Sequence, residues 1–66
     1  MDVRVNGKTE SVEPGVTIAG FLETKGLAAQ RVAVELNMAI VKKESYGSTR
    51  LSEGDSVEIV HFVGGG

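Results

Sequence analysis

The run Ser56-Val57-Glu58-Ile59-Val60-His61-Phe62-Val63 constrains this chain more than any other stretch. Val57 and Ile59 alternate with Glu58 and Val60, the period-two pattern of a strand with one buried face. Such a strand needs neighbouring strands and an apolar layer beneath it. It leads directly into Gly64-Gly65-Gly66. Glycine has no Cβ, so a tail of this kind is thin and flexible and enters a slot closed to other residues. The expected arrangement is a single folded domain over 1–66 that presents a flexible tail at 64–66, with a terminal carboxylate on Gly66. A frayed terminus, an expression scar or a domain cut from a longer chain gives the same sequence.

At 66 residues the chain is one small domain, and a domain this short buries only about 60% of the surface its unfolded chain exposes. It has no cysteine, which removes disulfides, thiolate metal sites and cysteine nucleophiles together. A net charge of -2 argues against a nucleic-acid binder, which carries a basic stripe. No apolar run approaches the ~20 residues that span a bilayer, so a cytoplasmic location away from membranes is expected. The single histidine, His61, lies in the final strand with no acidic partner near it in sequence; such a residue belongs to a surface or interface more often than to a catalytic base. An enzyme acting alone is not expected, nor a bound metal or cofactor.

Taken in order, Met1, Val3 and Val5 alternate with Asp2, Arg4 and Asn6, a half-buried strand. Asn6-Gly7 is a hairpin signal, because both residues accept positive φ. The return strand, about Lys8 to Val12, is polar in the manner of a protected edge. Glu13-Pro14-Gly15 breaks it. Thr17 is a candidate N-cap for a helix from about Ile18 to Lys25, with Ile18, Phe21 and Leu22 on one face. Gly20 weakens this helix and is expected to let it approach a strand. Gly26 suits the left-handed position after the helix, with Leu27 folding back on the last turn. Val32, Val34 and Leu36 form a second alternating run. Asn37-Met38 turns the chain into a short strand, Ala39-Ile40-Val41. Lys42 to Gly47 is polar around one aromatic, Tyr46, and Lys42-Lys43 reads equally as a solvated pair or a partner contact. Leu51 is an isolated anchor before the turn at Ser52-Glu53-Gly54-Asp55.

The resulting order is hairpin, helix, strand pair, loop, final strand. Short right-handed connections place the helix across one face of a mixed sheet of four to five strands. The most apolar strands, first and last, should be parallel neighbours at its centre. This is an α+β chain with the ubiquitin-like β-grasp architecture. One helix covers one face, so Glu58, Val60 and Phe62 point to the other, where Asp2 and Arg4 face water. Leaving a Val–Phe pair wet forgoes ~3 kcal/mol of burial. Val60 and Phe62, beside the tail, therefore mark a partner surface that includes Glu58.

The segments Val34-Glu35-Leu36-Asn37, Ile40-Val41, Leu51 to Val60 and Phe62-Val63-Gly64-Gly65-Gly66 closely resemble the sulfur carrier proteins of thiamin biosynthesis, the ThiS family. Asn6-Gly7 and Pro14-Gly15-Val16-Thr17 fit as well, so the resemblance spans the chain. Lys42-Lys43 departs from the Pro-Arg that often follows the Ile-Val pair.

The resemblance implies a carrier, monomeric alone. An E1-like adenylyltransferase would use ATP to activate the Gly66 carboxylate as an acyl-adenylate. Sulfur from a donor such as a cysteine desulfurase persulfide would convert it to a thiocarboxylate, and thiazole synthase would take that sulfur. Gly65 and Gly66 match the family's terminal pair, Gly64 extends the leash, and Val60 and Phe62 fall on the partner-facing strand. The alternatives are a carrier like the small subunit of molybdopterin synthase, a ubiquitin-like protein modifier, and a non-catalytic interaction module. Val63 before the glycines and the short length favour thiamin over molybdopterin.

Overall fold

The computed structural model describes residues 1–62. Asn6 and Gly7 turn the chain with φ of 50° and 86°, and β1 (Asp2–Val5) pairs antiparallel with β2 (Lys8–Ser11). The helix α1 (Ile18–Thr24) follows, then β3 (Val32–Leu36), β4 (Ala39–Val41) and β5 (Ser56–His61). The five strands form one sheet in the order β2-β1-β5-β3-β4. β1 and β5 run parallel at its interior, and the other neighbours are antiparallel. The expected β-grasp topology is present, with β2 and β4 as edges.

Helix α1 is held by its ends. The Thr17 hydroxyl accepts the Gly20 amide at 3.1 Å, and the free amides of Ile18 and Ala19 donate to the carbonyls of Thr49 and Tyr46, both at 2.9 Å. At the far end Gly26 takes φ 71°, its amide donates to Glu23, and Leu27 donates to Leu22. These two bonds close the helix with the glycine-terminated motif expected from the sequence. Helix α1 buries Ile18, Phe21 and Leu22 against Val3, Val5, Val32, Val34 and Val57. Lys25 lies over the Phe21 ring, its ammonium 5.6 Å from the ring centre, and forms an ion pair with Glu10. Two details differ from the sequence reading. Gly20 does not bring the helix close to a strand; a Cβ there would meet Val16 at 3.3 Å and the Thr17 hydroxyl at 3.4 Å, the turn just before the helix. Tyr46, assigned no role, is only 3% exposed and belongs to the core.

Two asparagines brace β5 from either end. The Asn6 amide group donates to the Ile59 carbonyl at 3.1 Å and its carbonyl accepts the Ile59 amide at 2.7 Å. This side chain continues the β1–β5 ladder beyond the last backbone rung, Asn6 N to Val57 O at 2.9 Å. Asn37 does the same at the start of β5: its side-chain oxygen accepts the Ser56 amide at 2.9 Å, and its nitrogen donates to Asp55 at 3.0 Å. Asn6→Ala removes two bonds and puts a Cβ residue at positive φ without a local partner. It is expected to cost about 2 kcal/mol of unfolding free energy, read by urea denaturation with an unchanged slope.

Candidate functional site

Among the described residues no helix lies on the sheet face away from α1. The register fixes what it carries. Glu58 of β5 lies opposite Glu35 of β3, which lies opposite Ile40 of β4; Val60 lies opposite Ala33. Since Val34 and Val57 are buried on the helix side, their alternates Glu35, Glu58, Val60 and Ile40 face outward. Val60 is 56% exposed, Phe62 52% and Ile40 79%. Glu58 is exposed too. The structure thus brings the three residues singled out in the sequence onto or beside one surface, and widens it across three strands by adding Ile40.

Ile40 was legible. With Asn37-Met38 as a two-residue turn, Leu36 must pair with Ala39, and the outward Glu35 then fixes Ile40 as outward. Met38 sits at the tip of that turn with φ 72° and is 93% exposed. A side chain at such φ is strained by about 1 kcal/mol or more, and the position suits glycine. Met38→Gly is expected to raise stability by about 0.5–1 kcal/mol, checked by the midpoint of chemical unfolding.

Glu35 and Glu58 are like charges placed directly across a strand pair, an unfavourable arrangement in isolation. Neither forms a salt bridge among the described residues. His61 pairs with Val32 on the other side of the sheet and lines an open cleft with Leu27, Ile59 and Lys8. Among the described residues no cluster of histidine or carboxylate side chains is arranged to hold a metal ion, and no helix is long and apolar enough to cross a membrane.

Phe62 is the last described residue. Its amide donates to the Arg31 carbonyl at 2.8 Å, which carries the strand direction one step past β5. Gly64, Gly65 and Gly66, the expected reactive tail, lie outside the described residues.

Known proteins share this body. The model of the ThiS family matches residues 3–66. The sulfur carrier protein ThiS of Bacillus subtilis is 40% identical over 65 residues, with 97% of this chain and 98% of that protein covered. A crystal structure of a thiamine biosynthesis protein (ThiS) from Geobacter metallireducens superposes with a TM-score of 0.85 at 35% identity, and both chains are covered in full. A thiazole synthase of Magnetococcus marinus is 44% identical over 66 residues. All of this chain takes part in that last match, but it spans only 20% of the length of the thiazole synthases it resembles. The five-stranded sheet with one helix across it is shared with the Geobacter structure over the whole of both chains, and the chain belongs to the ThiS family.

Proposed function

We propose that this chain is a sulfur carrier for thiazole formation in thiamin biosynthesis, a co-substrate and not a catalyst. The observation that carries the reading is the exposed Val60–Phe62 strip at the root of the glycine run, on a body whose helix side is already filled. The family and the Bacillus relative support it. The matching segment in chains named thiazole synthase supports that enzyme as the acceptor of the sulfur.

The chemistry follows from what a carboxylate lacks. It is a poor electrophile, and its conversion to a mixed anhydride supplies the leaving group. On this reading an E1-like adenylyltransferase binds ATP. The Gly66 carboxylate attacks the α-phosphate, pyrophosphate leaves, and an acyl-adenylate forms. The terminal sulfur of a persulfide, such as one held by a cysteine desulfurase, attacks the acyl carbon and AMP departs. A thiol then cleaves the acyl disulfide and leaves as a disulfide, releasing the thiocarboxylate. ATP is thus bound by the partner, and this chain contributes the reacting atom, the narrow leash and the docking face. ATP and persulfide chemistry both suit the cytoplasm, and the body acts as a monomer.

The docking partner is expected to present a cationic group among apolar side chains. Val60, Phe62 and Ile40 offer the apolar part, and the facing Glu35 and Glu58 call for a positive charge. The test is direct. The chain is incubated with ATP, a cognate activating enzyme and a sulfur donor, and its intact mass is taken. Replacement of one oxygen by sulfur is the expected gain. No gain with a partner proven active on its own carrier overturns the reading, and conjugates to lysine in host extracts would favour the modifier instead.

A further inference from the structure

Lys43 occupies a place that its polar surroundings in the sequence conceal. It opens a 3₁₀ turn, Lys43–Ser45, that follows β4. Its ammonium donates to the Val32 carbonyl at 2.6 Å. The same nitrogen lies 5.9 Å from the ring centre of Tyr46 and 5.8 Å from that of Phe62, both within the range of attraction between a cation and an aromatic face. Tyr46 is buried in the core, Val32 is the residue paired with His61 at the end of β5, and Phe62 is the first residue beyond that strand. One cation therefore ties the core, the start of β3 and the point where the chain leaves the sheet. The neighbouring Lys42 makes none of these contacts among the described residues.

The position matters because of leverage. Past the final rung, Phe62 has one backbone bond among the described residues, to Arg31. Rotation about its φ and ψ swings everything that follows, and four extended residues reach about 14 Å. The volume such an end sweeps sets its effective concentration at any fixed point on a docked partner. A side chain that stops the rotation acts on the reaction without touching the reacting atoms.

We propose that Lys43 is a positioning residue for the tail reaction, holding Phe62 so that the glycine run starts from one place and in one direction. This rests on the carrier reading for its consequence, though not for its geometry. The probe is Lys43→Met, which keeps the stem and removes the cation, beside Lys43→Arg, which keeps a cation able to stack. In the free proteins, nitrogen relaxation should give the Phe62 amide a rigid order parameter near ~0.85 in the wild type and Lys43→Arg, falling below ~0.6 in Lys43→Met. With the activating enzyme and ATP, Lys43→Met should lose about tenfold in kcat for adenylation, with a smaller change in KM, and Lys43→Arg should recover it.

An equally rigid Phe62 amide in Lys43→Met overturns the proposal, and so does a loosened amide with unchanged kcat. Should Lys43→Met fail to fold, Phe62→Leu removes only the ring; loosening of the amide at 62 supports the clamp, and unchanged order overturns it. The two readings separate cleanly. A wild-type chain that never loads, with the amide responding as expected, sinks the carrier reading and leaves the clamp standing; normal wild-type loading with an unresponsive amide does the reverse.

Discussion

Removal of Gly65 and Gly66 is expected to abolish sulfur loading completely while leaving the melting temperature within about one degree of the parent. The loss is total because the deletion takes away the atom that reacts together with the leash that brings it to the nucleotide. Stability is expected to stay because, among the described residues, the buried core is complete between Val3 and Val57, and a truncation is tolerated where it removes no buried apolar group and no backbone bond of the body. The check is paired: intact mass after incubation with ATP, activating enzyme and sulfur donor, and thermal unfolding of the same sample. A fall of several degrees would mean the tail packs on the body, and loading of the shortened chain would move the chemistry elsewhere.

Phe62→Asp is expected to weaken binding of the activating enzyme by about a hundredfold, or about 3 kcal/mol, as truncations at the centre of an interface do when a charge must also be desolvated. Phe62 is half exposed and outside β5, so the unfolding free energy should fall by less than about 1 kcal/mol. Calorimetric titration of the partner and urea unfolding of the variant separate the effects. A variant that unfolds would place the ring in the core; unchanged affinity would remove Phe62 from the docking face.

The fold was largely legible because its signals are local. Asn6-Gly7, Thr17, Gly26-Leu27 and the period-two runs at 32–36 and 56–61 each act within a few residues, and each appears where expected. What the sequence hides is longer in reach. Tyr46 stands in a polar stretch and looks exposed, yet it is buried and its carbonyl caps the start of α1; nothing between 42 and 47 announces that helix. Lys43 reads as a solvated residue or a partner contact, and not as a clamp, because Val32 and Phe62 lie 11 and 19 positions away. The side-chain bonds of Asn6 to Ile59 span 53 positions, so its turn role was visible and its bracing of β5 was not. Of the candidate site, Glu58, Val60 and Phe62 followed from alternation alone, and Ile40 needed the hairpin register as well. The glycines lie outside the described residues.

The side-by-side placement of β1 and β5 has a bearing on biosynthesis. During synthesis β1 acquires its inner neighbour only when 56–61 have also emerged, since the backbone rungs at Arg4 and Asn6 end on Asp55 and Val57. Closure across such a span comes late. A nascent chain interrupted before that point leaves β1 without its inner neighbour and offers no Val60 strip, so the exposed apolar face exists only on chains whose synthesis has passed β5.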